Sequence, residues 1–343
     1  MLKREPNFEN MKKVLKRQVP DRPVLYEFTL NMPFYERLTG EALPAGADTM
    51  QVQKKMIEGY AAAGYDFAPI AASGFHFLPD DFGGHAHIAS RSLNEKCVFT
   101  DSESYAKYTW NEPKDYEDGR VEKAAKFLPD GMKLMVKGPG GVMENMIDLI
   151  GFDNLCYMLY DEPELVEEVA DQIGKRLYQY YEPIIQNEAV GFLCMNDDWG
   201  FNTQTFLAPK DMRKYIFPWN KKIVELAHKY DKPIMLHSCG YFADVIDDIC
   251  DDMKFDARHS YEDNIMPVEE AYEKYHDRIA ILGGIDVNFI CQETPEVIYR
   301  RSREMLERTA DRGGYALGSG NSIPAYVPFD NYMAMVKAGW EFK

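Results

Sequence analysis

The amino-acid sequence predicts an α/β protein, a single (β/α)8 barrel domain that spans residues 1–343. Three observations predict this fold: eight short apolar runs occur along the chain, amphipathic helical patterns alternate with them, and no linker-like or low-complexity segment divides the sequence. Strands that are buried on both faces of a parallel sheet appear in a sequence as such continuous apolar runs. A doubly wound open sheet is the structural alternative, and the count of eight favours the barrel.

The eight apolar runs are the candidate strands. In chain order they are Val24–Phe28, Phe67–Ile70, Lys133–Lys137, Gly191–Met195, Pro233–Leu236, Phe255–His259, Ile279–Leu282 and Tyr315–Leu317. One long connection, residues 71–131, follows the second run and is rich in Gly, Asp and aromatic residues. Because connections of that length are usually functional, we expect it to form a lid or part of a substrate wall.

Helix start signals occur between the apolar runs. One pattern begins at Pro163, with acidic residues in its first turn and apolar residues at helical spacing as far as Ile184. Another opens with Thr294 and Pro295 and closes at Gly313. These helices would pack between successive strands of the barrel.

Composition argues against several classes of function. The net charge of −17 opposes binding to nucleic-acid phosphates and to an anionic membrane surface. The apolar runs are too short to cross a bilayer, and the first ten residues lack the apolar stretch of a secretory signal. The six cysteines have no framework spacing, which indicates reduced thiols. We therefore expect a cytoplasmic protein without a nucleic-acid or membrane partner, and the sequence is compatible with a homo-oligomer.

Residues that bind metals or move protons follow most of the candidate strands, at the end where a barrel carries its chemistry. They are Glu27, His76, Asn196, Asp197, Asp198, His237, Cys239, His259, Glu262, Asp263, Asp286, Ser319 and Asn321. In a barrel these side chains would converge on one mouth. The Gly-rich segment after the third run lacks the spacing of a phosphate-binding loop and is predicted to be a tight turn.

The pair His237 and Cys239 is the sharpest candidate for a metal site. Residues two apart on a strand face the same side, zinc accepts imidazole nitrogen and thiolate, and a catalytic zinc site takes three protein ligands. The alternative is a core histidine beside a small buried cysteine. The flanking Gly240 and the acidic residues on neighbouring strand ends favour the metal. Asp197 and Asp198 suit a ligand, a general acid or a substrate contact, and also a helix N-cap.

Six stretches of the chain resemble the uroporphyrinogen decarboxylase superfamily. They are "VLKRQVPDRPVL", "LYDEPELVEEV", "PKDMRKYIFPW", "HSCG", "DRIAILGGID" and "GSGNSIPAYVPFDNYMAMV", in the order that the family has them and over nearly all of the chain. The resemblance implies one (β/α)8 barrel. It also implies one of two activities: the cofactor-free decarboxylation of haem synthesis, or a corrinoid-dependent methyl transfer.

The resemblance favours the methyltransferase branch. The decarboxylases carry an "RQAGR" segment after the first strand, whereas this chain has no arginine there before Arg37, and Glu27 would repel a polyanionic substrate. The methyltransferases bind zinc through a His-x-Cys pair that His237 and Cys239 match. Their coenzyme M enzymes add a cysteine after strand eight, where this chain has Ser319.

The resemblance therefore implies an O-demethylase-type methyltransferase with a Zn²⁺ ion, which passes a methyl group from a small-molecule donor to the corrinoid of a partner protein. The metal ligands would be His237, Cys239 and an acid, with Glu262 as first choice and Asp197 as second. Asp198 or Glu262 would deliver a proton to the leaving oxygen.

The substrate pocket expected from the sequence is listed here: Glu27, Phe75, His76, Phe77, Phe82, His259, Ser319 and Asn321. Two alternatives to the methyltransferase stay open. One is a metal-free lyase that acts on a small carboxylated substrate, and the other is a binding protein with a degenerate site.

Overall fold

A computed structural model of the protein describes residues 4–80, 93–94 and 97–343. Within these residues, seven strands form one sheet in which every neighbouring pair is parallel and the spatial order follows the chain. The strands are β1 Phe67–Ala71, β2 Lys133–Lys137, β3 Val190–Asn196, β4 Ile234–His237, β5 Ala257–His259, β6 Ala280–Leu282 and β7 Tyr315–Ala316. The predicted α/β class with a parallel sheet is confirmed.

The first apolar run, Val24–Phe28, lies beside β7 as a bridged segment and not as a full strand. One parallel bridge joins Leu25 to Leu317. The Tyr26 nitrogen donates to the Leu317 oxygen, and the Leu317 nitrogen donates to the Val24 oxygen, both at 2.8 Å. The ladder is also short at this edge, where β7 has two residues. The described residues therefore form seven strands plus this segment, where the sequence predicted eight strands.

Fourteen α-helices occur within the described residues. They are α1 Phe8–Leu15, α2 Met32–Thr39, α3 Thr49–Ala62, α4 Ser102–Tyr105, α5 Arg120–Ala125, α6 Val142–Ile150, α7 Phe152–Asp161, α8 Pro163–Tyr181, α9 Pro209–Tyr215, α10 Phe217–Lys229, α11 Val268–Tyr275, α12 Val287–Gln292, α13 Pro295–Thr309 and α14 Phe329–Glu341. Two 3-10 helices at Pro113–Tyr116 and Ala243–Val245 and a π-helix at Asp248–Asp252 complete the set. In the part of the chain that the structure describes, no helix is both long and apolar enough to cross a lipid bilayer.

Two helix starts confirm the signals in the sequence. Helix α8 begins at Pro163 and α13 begins at Pro295. Proline has no backbone N–H, and at the first position of a helix this removes no hydrogen bond, because the first helical N–H groups have no partner inside the helix. Helix α13 stops at Thr309, and Gly313 closes the turn that follows, with φ +73° and its nitrogen donating to the Thr309 oxygen.

The sheet is covered on both faces, as the apolar runs predicted. In β3, the six residues from Val190 to Met195 are buried and only Asn196 is partly exposed. All four residues of β4 are buried. Because the strands are parallel, their carboxyl ends meet at one edge, and the polar residues that follow them collect there.

Candidate metal centre

Two histidines and an asparagine occupy one level at the carboxyl edge of the sheet. In the register of the strands, Asn196 of β3 is opposite His237 of β4, and His237 is opposite His259 of β5. Residues that follow these positions leave the sheet as loops and stay close to one another. The loop after β3 and the loop after β4 supply the remaining donors.

Asp198, His237 and Cys239 form the one group among the described residues whose side chains are placed to hold a metal ion. One donor atom from each lies within 4.8 Å of the other two. The Cys239 Sγ is 3.8 Å from the His237 Nε2, and the Cys239 backbone nitrogen donates to Asp198 Oδ1 at 2.7 Å. His237 is buried, whereas Asp198 and Cys239 are half-buried, so the group is open on one side.

A close approach of two glycines holds this group together. Gly240 has φ +86°, and a Cβ at this position would lie 1.9 Å from the Gly200 oxygen. The loop after β3 and the loop after β4 therefore touch backbone to backbone, immediately beside Cys239. This explains why glycine follows the His-x-Cys pair: any side chain would separate the loop that carries Asp198 from the loop that carries Cys239.

Hydrogen bonds fix the tautomer of His237. Its Nδ1 lies 2.8 Å from the Nδ1 of His259, and the His259 Nε2 lies 3.0 Å from the backbone oxygen of Ser319. A carbonyl only accepts, so the His259 Nε2 carries a proton and donates it. The neutral His259 then accepts at Nδ1, and His237 must donate from its own Nδ1. The lone pair of His237 is left on Nε2, which faces Cys239.

Burial keeps both imidazoles neutral. It lowers the pKa of His237 well below its ordinary value, with the neighbouring His259 adding to the effect, and it lowers the pKa of His259 to about 3. Burial raises the pKa of the Cys239 thiol well above its ordinary value, and the charges of Asp198 and Glu262 raise it further. A metal ion at this position would instead lower the pKa of the Cys239 thiol, because a coordinated thiol loses its proton.

Glu262 and Asn321 lie next to the group without belonging to it. The Asn321 Nδ2 donates to Cys239 Sγ at 3.3 Å. Burial and the charge of Asp286 raise the pKa of Glu262, while a hydrogen bond from Asn321 lowers it. The sequence's first choice for the third ligand was Glu262, which is near the thiol of Cys239. The acid whose donor atom lies within 4.8 Å of both His237 and Cys239 is instead Asp198.

Asp197, the second choice, contacts helix α6. Its two carboxylate oxygens accept from the Met143 nitrogen at 3.2 Å and from the Glu144 nitrogen at 2.9 Å. A Cβ at Gly141 would lie 2.1 Å from the Asp197 Cγ, so the helix start packs tightly on this carboxylate. Asp197 therefore has the helix-cap role that the sequence left open, whereas Asp198 lies with His237 and Cys239.

Glu27 and Ser319 form a buried pair below the group. The Ser319 hydroxyl donates to Glu27 Oε1 at 2.6 Å, and both residues are fully buried. Burial raises the pKa of Glu27 to about 8, against the effect of the Ser319 hydrogen bonds. Ser319 supports His259 through its backbone oxygen and Glu27 through its hydroxyl. These contacts place both residues behind the half-buried donors, and not on an exposed pocket wall.

The predicted pocket residues of the long connection pack largely on one another. Phe75 and Phe77 are buried with their ring centroids 4.9 Å apart, and Phe75 also lies against Tyr116 and Tyr180. The His76 Nδ1 bonds to the Leu78 oxygen, and its Nε2 lies 3.2 Å from Asp80. These are contacts of loop packing. Phe82 lies outside the described residues.

Sequence reasoning missed three residues around the group. The Phe28 ring stacks on the His237 imidazole, with centroids 3.8 Å apart and planes at 3°. The Lys137 Nζ lies 4.6 Å from the centroid of that same Phe28 ring. Arg258 is fully buried and donates to the backbone oxygens of Ser238 and Ser260. The sequence did carry a signal for two of them, because a cation ends the apolar run "KLMVK" at Lys137 and another lies inside the run "FDARH" at Arg258.

Known proteins resemble the chain in sequence and in fold. The family model described as uroporphyrinogen decarboxylase (URO-D) matches residues 99–342. The chain is 22% identical over 186 residues to the uroporphyrinogen decarboxylase of Geobacter sulfurreducens, which is 54% of this chain and 51% of that protein. It is 24% identical over 199 residues to the uroporphyrinogen decarboxylase of Anaeromyxobacter dehalogenans, a match that covers 56% of this chain and 53% of that protein. The chain spans about half the length of the curated relatives it matches.

Among solved structures, a methyltransferase from Methanosarcina mazei superposes on nearly the whole chain. The TM-score is 0.72, and the match covers 98% of this chain and 99% of that one at 15% identity. The two proteins share a fold.

Proposed function

We propose that this chain, which belongs to the uroporphyrinogen decarboxylase family, is a zinc-dependent methyltransferase that moves a methyl group from an O-methyl compound to the corrinoid of a partner protein. One observation carries the proposal: the donor atoms of Asp198, His237 and Cys239 lie within 4.8 Å of one another. The shared fold with a methyltransferase from Methanosarcina mazei supports it.

The three residues fit zinc by their chemistry. An imidazole nitrogen, a thiolate and a carboxylate are all zinc ligands, and three protein ligands with one open side are typical of a catalytic site. The His237 Nε2 presents its lone pair because His259 fixes the other nitrogen as a donor. With one thiolate instead of two, a zinc ion held there would act mainly as a Lewis acid on the ether oxygen of the methyl donor.

The transfer balances as follows. The bond between the methyl carbon and oxygen breaks, and its electron pair stays on the oxygen. The electron pair of the reduced Co(I) corrinoid forms the new bond to carbon, so that the cobalt becomes Co(III). The leaving oxygen takes up one proton.

We assign Asp198 as the third metal ligand and Glu262 as the proton donor. Glu262 is suited to this role because burial and the charge of Asp286 raise its pKa, and a raised pKa favours the protonated carboxyl that a proton donor needs. Asn321 orients this side of the site, since it donates to Cys239 Sγ and hydrogen-bonds Glu262. His259 and Glu27 then act as supports behind the ligands and do not touch the substrate.

We also propose that Val24–Phe28 completes a (β/α)8 barrel and that residues 1–343 form one domain in the cytoplasm. The parallel bridge between Leu25 and Leu317 supports the closure on one side. On the other side, the Tyr60 hydroxyl donates to the Glu27 oxygen at 3.2 Å, which ties the segment to helix α3.

The names of the curated relatives favour a second candidate, a decarboxylase that needs no metal. Its polyanionic substrates would require arginines whose donors face the site, whereas both Nη atoms of Arg258 donate to backbone oxygens, those of Ser260 and Ser238. Arg37, the first arginine after the segment Val24–Phe28, instead lies 3.8 Å from the centroid of the Phe329 ring and 3.6 Å from Asp330. These contacts favour the methyltransferase over the decarboxylase.

Metal analysis and a methyl-transfer assay test the proposal together. We expect about one zinc per chain in protein purified without chelators, and none in His237→Ala or Cys239→Ala. Cys291→Ala is the matched control, since Cys291 is also a half-buried free cysteine but lies in helix α12. In the transfer assay, the protein is mixed with chemically reduced cobalamin and a panel of methoxylated compounds. The absorbance of methylcobalamin then measures the transfer. Metal-free protein that releases carbon dioxide from a carboxylated substrate would contradict the proposal.

A further inference from the structure

We infer that Lys137 binds an anionic group, a carboxylate, on the methyl donor, so that the substrate is a methoxylated acid and not a neutral methyl ether. The inference rests on the proposed function for the identity of the reacting group. It is carried by an ammonium that has no counter-ion among the described residues and that contacts the same aromatic ring as the His237 imidazole.

The position of the Lys137 ammonium is well defined. Lys137 is the last residue of β2, at the same edge of the sheet as His237. Its Nζ donates to Thr29 Oγ1 at 2.9 Å and lies 4.6 Å from the centroid of the Phe28 ring. The Thr29 hydroxyl donates to the Phe28 oxygen at 2.7 Å, so its proton is already used and it acts as an acceptor for the ammonium.

The ammonium is incompletely satisfied by the residues that the structure describes. An ammonium has three N–H donors, and the Thr29 hydroxyl accepts one of them. Lys137 forms no ion pair with any described carboxylate, and burial lowers its pKa. Cys194 is near, but burial raises the pKa of its thiol to about 12, so it supplies no negative charge at neutral pH.

Lys55 shows what this protein does with a buried lysine elsewhere. Its side chain is 7% exposed, and its Nζ lies 3.7 Å from Glu41 and 3.7 Å from Glu58 and bonds to Thr39. Taking a charge out of water is costly unless an opposite charge replaces the water. Lys55 has two carboxylates for this purpose, whereas Lys137, which is half-buried, has none among the described residues and keeps part of its contact with water. A carboxylate on a bound substrate would take the place of that water.

The distance between Lys137 and the metal ligands suits one small molecule. The His237 imidazole stacks on Phe28 at 3.8 Å between centroids, and the Lys137 Nζ is 4.6 Å from the same centroid. The ammonium is therefore no farther from the centre of the imidazole than the sum of these two distances. The Phe28 ring contacts both groups, so a donor with its methoxy oxygen at the ligand group and its carboxylate at Lys137 would lie along the edge of this ring.

The position of the proton donor makes the orientation of the substrate selective. Glu262 lies beside Cys239 at the ligand group, so the methoxy oxygen that takes up its proton lies there and the carboxylate lies at the Lys137 end. The substrate thus has one orientation, with its charged end away from the acids and its methoxy end beside them. A neutral ether would lack this charged contact and leave Lys137 without an anionic partner among the described residues.

Three variants test the inference. Lys137→Gln removes the charge but keeps a donor for Thr29, and Lys137→Arg keeps the charge. Lys133→Gln is the matched control, because Lys133 is on the same strand and its Nζ donates to the Glu188 backbone oxygen at 2.7 Å. The probes are three pairs of acid and amide: methoxyacetate with methoxyacetamide, and 3- and 4-methoxybenzoate with their benzamides.

Calorimetric titration of zinc-loaded protein would measure the affinity of each probe. We expect the acids to bind about 10- to 100-fold more tightly than the amides, as one charge-assisted hydrogen bond provides. The ratio should fall toward one in Lys137→Gln and persist in Lys137→Arg and in Lys133→Gln. An unchanged ratio in Lys137→Gln, equal binding of acids and amides to the unaltered protein, or no binding of any probe would overturn the inference.

Failure of the proposed function has a different outcome. Acids that bind more tightly than amides through Lys137, but transfer no methyl group to reduced cobalamin, would leave the anion site standing and remove the methyltransferase. Equal transfer from acids and amides would leave the methyltransferase standing and remove the anion site.

Discussion

The Nδ1 atoms of His237 and His259 lie 2.8 Å apart, on residues that are opposite each other in adjacent parallel strands. Two neutral imidazoles can meet in this way only if one donates and the other accepts. The Ser319 oxygen accepts the hydrogen bond from the one N–H group of the neutral His259, so His237 must donate to His259 and not the reverse. The His237 Nε2 then keeps a lone pair that can bind a metal. His259 is thus a positioning residue for a candidate ligand.

Replacement of His259 tests this relationship. We expect His259→Phe to lower zinc affinity by about 10- to 100-fold, the usual effect of losing a partner that orients a metal-bound histidine. Competition with a chromogenic chelator would measure the affinity, and nitrogen-15 NMR would show the loss of the single His237 tautomer. His276→Gln, on a histidine that bonds to the Tyr272 oxygen at the end of α11, is the control. Unaltered affinity in His259→Phe would show that the pair only packs the core.

Two adjacent aspartates should have separable effects. Asp198→Asn should weaken zinc binding strongly, because it removes the carboxylate of the donor group. Asp197→Asn should leave zinc binding nearly unchanged and lower the free energy of unfolding by about 1–3 kcal/mol, since the amide has only one oxygen and leaves one of the two buried backbone N–H groups unpaired. Zinc titration and urea unfolding of both variants would measure the two quantities. Loss of zinc in Asp197→Asn alone would reverse the assignment of the two carboxylates.

Glu262→Gln separates a ligand from a proton donor. If Glu262 delivers the proton, the variant should retain about one zinc per chain and lose about 100-fold or more in the rate of methyl transfer, the contribution typical of general acid catalysis. Metal analysis and the cobalamin assay would be run on the same preparation. Zinc loss in this variant would make Glu262 a ligand, as the sequence first suggested.

The Glu27 carboxyl predicts a dependence of stability on pH. Its folded pKa of about 8 lies above its ordinary value of 4.5, so between these values the folded state holds a proton that the unfolded state lacks. The contribution of this group to the free energy of unfolding is greatest below pH 4.5 and falls as pH rises, by at most roughly 1.4 kcal/mol per pH unit. Glu27→Gln should abolish this fall. The variant should therefore gain stability relative to the parent between pH 5 and pH 8.

Urea unfolding at several pH values would measure this gain. Glu9→Gln, on a residue whose side chain is 68% exposed, is the control and should follow the parent curve. Parallel curves for Glu27→Gln and the parent would mean that the buried carboxyl is not protonated in the folded state.

Gly240→Ala should damage the donor group without touching a ligand. The added Cβ would meet the Gly200 oxygen at 1.9 Å, and φ of +86° disfavours any side chain. We expect a loss of more than about 2 kcal/mol in the free energy of unfolding, together with weaker zinc binding, because the two loops must move apart. Gly46→Ala is the matched control, since Gly46 has φ +77° with nothing within 4 Å of its added Cβ. Equal effects of the two variants would remove the role of the loop contact.

The sequence alone determined the parallel α/β class, the positions of seven strands, the two proline helix starts and the placement of His237 and Cys239 two residues apart at the end of one strand. These features are local: apolar runs of strand length, capping residues and a pair two residues apart depend on neighbours within one element. The eighth apolar run could not be assigned in this way. An apolar run indicates burial, whereas a strand also needs hydrogen-bonding partners, and Val24–Phe28 has one bridge to Leu317.

Only the tertiary structure decided which acid joins the pair. Asp197 and Asp198 are adjacent and chemically equal in the sequence, yet one caps helix α6 and the other contacts the loop of Cys239. Successive residues point in opposite directions, and which direction faces the site depends on elements far away in the chain. The same holds for His259, which the sequence placed in the substrate pocket. Its role depends on a backbone oxygen 60 residues away, and backbone oxygens are the same in every sequence.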